Sequence, residues 1–195
     1  MSLRPSSGDA IAAMMQILAP DLVTGRDVRV LAASRLTAAQ LRDSDILYVG
    51  LLSGLGPLRK PLFGNSRFAV GDSYDEMVDR ATHKRYSADP PRGSDVARRD
   101  YAYVAALPGP NGNHILIAAG TRDAALLQAI DILSEPAELA TLDAVSRSGY
   151  FEALYAVDGV GADRFQSRFL AASPRATTGI WEAMTNLPGA ITSPQ

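Results

Sequence analysis

The chain contains no cysteine in its 195 residues, which excludes disulfide bonds and thiolate metal ligands. Histidine occurs only twice, and Lys60 and Lys84 are the only lysines among 19 basic residues. No segment approaches the run of about 18 apolar residues that a membrane-spanning helix needs. A formal net charge of −2 argues against nucleic-acid binding, which requires a dominant positive surface.

What is present is typical of a globular protein. Hydrophobic residues make up 47% of the chain and charged residues 21%. The length predicts a single α/β domain over residues 5–187, with flexible ends at 1–4 and 188–195. The excess of arginine over lysine, together with abundant alanine, indicates a GC-rich bacterial genome. The compartment stays open between the cytoplasm and the extracytoplasmic part of a membrane protein.

The most informative segment is Asp45–Leu58, which reads as a buried strand, a glycine-rich bend and a helix start. Ile46–Leu52 is almost continuously apolar, as expected for a strand covered on both faces. Pro57 suits the first position of a helix. Thr37 and Gln40 have the spacing of a capping box, which predicts another short helix beginning there.

The remaining pattern predicts strands and helices in alternation. Asp27–Ala33 and Arg67–Val70 are predicted as further strands, and strands separated by helices favour βαβ units with a parallel sheet. Turn residues between two pairs of apolar segments predict a hairpin or a short crossover for the first pair and a hairpin for the second. These pairs are Tyr101–Leu107 with His114–Ala119 and Phe151–Val157 with Arg164–Ala172. A helix is predicted to follow Gly120-Thr121 and to run through Leu133, and another is predicted to start at Ser134-Glu-Pro136.

Three segments resemble, in style, the flavodoxin-like soluble domains attached to bacterial membrane or signalling proteins: Asp45–Gly50, the turn Gly71-Asp-Ser-Tyr and Ile115–Leu133. The resemblance implies a three-layer, flavodoxin- or Rossmann-like fold. Its sheet would be mostly parallel, with an antiparallel C-terminal hairpin. No family site is transferred with it.

In a parallel sheet, bends that follow neighbouring strands open on the same edge, where ligands bind. We therefore predict a site for a small anion formed by Ser53, Gly54, Gly56, Thr121 and Arg122. Backbone amides at helix starts, hydroxyl groups and the guanidinium would hold the anion. The alternatives are that the glycines allow a tight turn, and that Thr121 only caps a helix.

The segment Gly71-Asp-Ser-Tyr74 resembles the nucleophile motif of the GDSL (SGNH) ester hydrolases. That resemblance implies Ser73 as a nucleophile, with His83 or His114 as its base. The family's Asp-x-x-His is missing here, because Asn111 stands where the aspartate is expected. The alternative is a capping box in which Ser73 and Glu76 begin a helix.

A group of acids follows in this segment, on one face of the predicted helix: Asp72, Asp75, Glu76 and Asp79. Acids at a helix start usually complement the helix dipole, so no metal site is assigned. The polar segment His83–Asp95, with its paired prolines and a glycine, is predicted to be an exposed mobile loop.

These observations favour a non-catalytic, small-ligand-binding or interaction domain with a sensory or regulatory role, part of a larger bacterial protein. The expected partners are a small anionic ligand and a protein. No nucleic acid, cofactor, metal or catalytic residue is assigned. The alternatives are an ester hydrolase that uses Ser73 and a structural assembly domain whose strand edges pair with a partner.

Overall fold

The computed structural model describes residues 27–90, 96–146, 148–160 and 163–181. Its helices are α1 (Ala38–Asp43), α2 (Arg59–Gly64), α3 (Asp123–Ser134) and α4 (Pro136–Val145). Its strands are β1 (Ile46–Leu51), β2 (Phe68–Val70), β3 (Glu76–Asp79), β4 (Lys84–Ser87), β5 (Ala97–Pro108), β6 (His114–Gly120), β7 (Phe151–Val160) and β8 (Asp163–Pro174). In this part of the chain no helix is long and apolar enough to cross a membrane.

The strands form two sheets that are mainly antiparallel. The larger sheet has five strands in the order β1-β6-β5-β7-β8, and only β1 and β6 are parallel. The smaller sheet has three antiparallel strands in the order β2-β3-β4. The predicted mostly parallel, flavodoxin- or Rossmann-like sheet is therefore wrong.

The physical reason lies in the central strand. β5 pairs antiparallel with β6 on one side and with β7 on the other. Tyr101–Ala105 is buried throughout, because both faces of the large sheet are covered. A strand covered on both faces reads as a continuous apolar run whatever the direction of its neighbours. The apolar runs in the sequence consequently could not separate a parallel from an antiparallel sheet.

The large sheet is the middle of three layers. One face packs against α3 and α4 through small side chains, among them Ala102 on β5 and Ala118 on β6. The opposite face packs against α2 and the small sheet through larger side chains, including Tyr103, Phe63 and Phe68. Tyr103 contacts both phenylalanine rings, with centroid separations of 5.5 and 6.0 Å. Alternation along β5 thus turns Ala102 toward the helices and Tyr103 toward the other layer, whereas β7 turns Tyr155 toward the helices.

A buried carboxylate joins the middle layer to the layer with the small sheet. Glu152 on β7 is 1% exposed and accepts hydrogen bonds from Ser66 Oγ, Arg67 N (2.7 Å) and Tyr103 Oη (2.9 Å). Arg175, which follows β8, supplies the opposite charge at 3.4 Å and donates to Leu62 O at 2.8 Å. One acidic side chain therefore holds the segment between α2 and β2 against the large sheet.

Several local predictions from the sequence are confirmed. Thr37 and Gln40 form the capping box at the start of α1, with reciprocal hydrogen bonds of 3.2 and 3.0 Å. Pro57 lies in the 3₁₀ turn Gly56–Leu58, which leads directly into α2. The predicted hairpins β5–β6 and β7–β8 are present, as are α3 and α4.

Other local predictions are wrong. Residues 27–32 form neither helix nor strand, and Val30 is 75% exposed, because no strand pairs with them in the described chain. The segment 71–79 forms a turn and β3 instead of a helix. Part of the predicted loop His83–Asp95 is the strand β4, whose Tyr86 is buried against Tyr101. Residues 91–95 and the predicted flexible ends lie outside the described residues.

The junction between β6 and α3 requires glycine at position 120. A Cβ atom there would lie 2.3 Å from the backbone nitrogen of Leu126 and 2.7 Å from Arg122 O. Both neighbours are backbone atoms, so they cannot move aside as a flexible side chain would. The close approach lets the helix begin directly above the end of the strand.

We expect Gly120→Ala to lower the free energy of unfolding by about 1–3 kcal/mol, because the added methyl group must push the start of α3 away from the sheet. Chemical denaturation measures the change. Gly64→Ala is the matched control, since a Cβ there meets nothing within 4 Å. Equal midpoints for the two variants would contradict this account of the junction.

Candidate functional site

The two bends of the predicted anion site leave the same end of the large sheet. β1 and β6 are parallel neighbours, and their register places Leu51 beside Gly120. Residues 52–56 and 121–122 follow these two positions, so the bends are adjacent. This proximity is a property of the one parallel pair in the sheet. Anion binding at these residues stays a prediction.

Thr121 is hydrogen-bonded to the backbone of the large sheet. Its side chain is 6% exposed, and its Oγ1 accepts a hydrogen bond of 3.0 Å from Tyr101 N. Its own N–H donates to Tyr101 O at 3.0 Å. Both polar groups of Thr121 thus extend the pairing of β5 and β6 past the last strand residue. The hydroxyl does not cap α3.

Arg122 is held by the protein's own acids. Its Nη1 donates to Asp100 Oδ1 at 3.1 Å and to the carbonyl of Asp89, and its Nη2 donates to Asp75 Oδ2 at 3.0 Å. The guanidinium therefore joins the start of α3 to β5, to the turn before β3 and to the segment after β4. An external anion at Arg122 would have to compete with two carboxylates that are already in place.

Asp100 is the buried member of this cluster, with 1% exposure. Burial raises the pKa of its carboxyl group, and the positive charges of Arg122 and Arg98 oppose that rise. Arg98 Nε lies 3.5 Å from Asp100 Oδ2. A carboxylate in this position is tolerable only while its cationic neighbours stay close.

We expect Arg122→Met to lower the free energy of unfolding by about 3 kcal/mol, because it leaves the charge of Asp100 poorly compensated. The deficit should be larger at pH 8 than at pH 5, since protonation of a buried acid whose pKa is raised relieves the cost of burying its charge. Urea denaturation at the two pH values provides the measurement. Arg42→Met, at an exposed position of α1, is the control. A loss no larger than that of the control would contradict the role given to Arg122.

The glycine-rich bend after β1 wraps a tyrosine hydroxyl. Tyr48 Oη donates to Leu51 O at 2.6 Å. A Cβ at Gly50 would lie 2.7 Å from this hydroxyl, and one at Gly54 would lie 2.9 Å from it. Burial raises the pKa of Tyr48 to about 12, so the hydroxyl remains a neutral donor. Close packing on Tyr48 thus accounts for two of the glycines, while Ser53 is exposed.

Neither histidine lies near Ser73, so the hypothesis that Ser73 is the nucleophile of an ester hydrolase lacks its base. Ser73 Oγ accepts a hydrogen bond of 3.3 Å from Asp75 N within an exposed turn. His83 lies beyond the other end of β3, whose four residues span about 10 Å. His114 begins β6, at the end of that strand opposite to Thr121, and stacks on Tyr150. Ser73 and the two histidines do not form a catalytic arrangement here.

The acids of the segment 72–79 each face an arginine. Arg85 pairs with Glu76 and Asp72, and hydrogen bonds from Arg85 and Ser87 lower the pKa of Glu76 to about 2. Asp79, 1% exposed, receives two bonds from Arg67, at 2.9 and 2.6 Å. These pairs connect the strands of the small sheet, and Arg67 also reaches Ala172 O on β8 at 3.2 Å.

The bidentate bond with Arg67 lowers the pKa of Asp79 to about 2. An acid with a lowered pKa stabilises the fold above its unfolded pKa near 4, and that contribution disappears as the pH falls toward 2. We expect Asp79 to account for about 2 kcal/mol of the stability lost between pH 5 and pH 2.5. Asp79→Asn should remove this part of the pH dependence in urea denaturation, and Arg67→Met should do the same. Parallel stability curves for Asp79→Asn and the unsubstituted protein would contradict the assignment.

A groove of about 620 Å³ lies between α2 and the small sheet, and we call it the basic groove. The residues that define it are Gly56, Arg59, Lys60, Phe63, Val70 and Arg80. Every charged side chain in its described lining is a cation, and the lining also contains apolar surface. Gly56 is the only residue that it shares with the predicted anion site.

Two of the three cations in the basic groove are held in place. Arg80 Nη1 donates to Phe63 O and to Ser66 O, both at 2.8 Å. Arg59 Nη1 donates to Tyr74 Oη at 2.8 Å, and its guanidinium carbon lies 4.8 Å from the centre of that ring. The adjacent cations Arg59-Lys60 after Gly56-Pro57 were the signal in the sequence. They form one cluster of positive charge only because the small sheet places Arg80 beside them.

Comparison with protein-family models, with curated proteins and with solved structures finds no match for this chain.

Proposed function

We propose that this chain is a non-catalytic ligand-binding domain with a sensory or regulatory role. Its ligand would be a small anion that carries an apolar body, held in the basic groove. The observation that carries the proposal is the convergence of Arg59, Lys60 and Arg80 around an apolar surface in one groove.

The dimensions and the lining of the groove support a ligand of this class. Small-molecule sites usually enclose about 300–1,000 Å³ and combine apolar surface with a few placed polar groups. Phe63 and Val70 offer the apolar surface, and the three cations offer charge for a carboxylate or a phosphate. A neutral apolar molecule would leave that charge unused.

The cations can bind without losing their present contacts. Both bonds that anchor Arg80 use Nη1, and a guanidinium carries five N–H donors. Lys60 is exposed and adds a third positive charge to the groove. Anchored guanidinium groups lose less conformational entropy on binding than free ones, which favours affinity.

The groove offers binding groups without a general acid or base of the usual kinds. Its described lining contains no carboxylate, imidazole or hydroxyl group. Together with the separation of Ser73 from both histidines, this supports a binding role over ester hydrolysis. The crevice at Thr121 and Arg122 is the less favoured anion site, because Asp75 and Asp100 already occupy the guanidinium.

We expect hexanoate and hexyl phosphate to raise the melting temperature of the full chain, by about 5–10 °C at concentrations near 100 times Kd. The uncharged 1-hexanol should not do so, and inorganic phosphate should have a weaker effect because it lacks the apolar body. Differential scanning fluorimetry gives the shift, and isothermal titration calorimetry gives the affinity at 25 °C.

Lys60→Met and Arg59→Met should each weaken hexanoate binding, whereas Lys84→Met, the matched control at an exposed position of β4, should not. Equal shifts from hexanol and hexanoate would overturn the proposal. Binding that survives both groove substitutions and disappears in Arg122→Met would instead locate the anion in the crevice at the end of β6.

A further inference from the structure

We propose that the domain has a second binding site, for an organic cation with apolar groups, in a groove on the opposite face of the large sheet. This groove has a volume of about 480 Å³ and lies among α3, α4, β7 and β8. We call it the acidic groove, and the residues that define it are Ile132, Glu135, Glu138, Tyr155 and Phe169.

An exposed aromatic ring is the first observation behind this proposal. Phe169 on β8 is 53% exposed, although a phenylalanine on a strand normally packs inward. It meets Tyr155 on β7 edge to face, with ring centroids 5.5 Å apart and an interplanar angle of 75°. Tyr155 is 5% exposed and fixed in the core of the helix-covered face. The pair thus presents a held aromatic surface to the groove.

The charge of the groove is the second, independent observation. Every charged side chain that lines it in the described chain is a carboxylate, and Glu135 and Glu138 are both exposed there. Tyr155 Oη lies 3.5 Å from Glu138 Oε2 and points its donor toward that carboxylate. Burial and the charge of Glu138 raise the pKa of Tyr155, so the hydroxyl stays neutral.

A purely structural role explains only part of this arrangement. Glu138 lies in the first turn of α4, where an acid complements the helix dipole. That role explains neither the exposure of Phe169 nor the placement of acids around an aromatic pair. Aromatic rings and carboxylates both attract cations, and apolar groups on the cation would cover the exposed ring. An ammonium ion with methyl or methylene groups combines these properties.

The probe is choline, compared with its uncharged isostere 3,3-dimethylbutan-1-ol, in NMR titrations of the 15N-labelled full chain. Choline should perturb amide signals at the α3–α4 junction and along β8, and the isostere should bind much more weakly. Phe169→Leu should weaken choline binding by about threefold to thirtyfold, the range of a cation–π contact from exposed to desolvated sites.

Glu138→Gln should also weaken choline binding and reduce its salt dependence. Asp143→Asn is the matched control, since it removes the same charge from an exposed position of the same helix outside the groove. Lys60→Met should leave choline binding unchanged, because the two grooves share no residue. The anion proposal and the cation proposal can therefore fail independently. Equal binding of the isostere would overturn the proposal. So would an effect of Asp143→Asn as large as that of Glu138→Gln, or unchanged affinity in both Phe169→Leu and Glu138→Gln.

Discussion

The carboxylate of Glu152 is the constraint on which the arrangement of the layers depends. A charge buried to 1% exposure is tolerable only when it is paired and hydrogen-bonded. Its partners come from three separate parts of the chain: Ser66 and Arg67 before β2, Tyr103 on β5, and Arg175 after β8. Any shift of the small sheet against the large sheet would break several of these bonds at once. Burial and the negative charge of Glu152 raise the pKa of Tyr103 well above its usual value, so this hydroxyl remains a donor.

With the layers held in this way, the two grooves face opposite sides of the large sheet. The basic groove belongs to the layer of α2 and the small sheet, and the acidic groove belongs to the layer of α3 and α4. The formal net charge of −2 for the whole chain does not reveal this separation, because the cations of the basic groove and the carboxylates of the acidic groove offset each other in the sum. Ligands of opposite charge could therefore be bound by one small domain without competing for the same surface.

The comparison of sequence and structure shows where local signals suffice. The capping box of Thr37 and Gln40 and the role of Pro57 depend on atoms within one turn, so spacing alone predicted them. The segment 71–79 illustrates the limit, because acids three or four residues apart fit one face of a helix. These acids are instead distributed by their arginine partners, Arg67, Arg85 and Arg122, which lie nine to 47 residues away and so outside any single helical turn. Arg122 itself seemed available for an anion until the structure placed Asp75 and Asp100 beside it.

The sequence by itself determined that α1, α3 and α4 are helical and that β1, β2, β5, β6, β7 and β8 are extended. It also excluded disulfides and thiolate metal sites. It also placed the bends after β1 and β6 correctly, since glycine and proline act locally. Only the tertiary structure decided the strand order and the direction of β5 between β6 and β7. It also decided which acids pair with each arginine. The physical reason is that a buried apolar run satisfies its burial in either strand direction, and a charge takes whichever opposite charge the fold brings near. Neither the strand direction nor the ion-pair partner can be predicted from the neighbouring residues in the sequence.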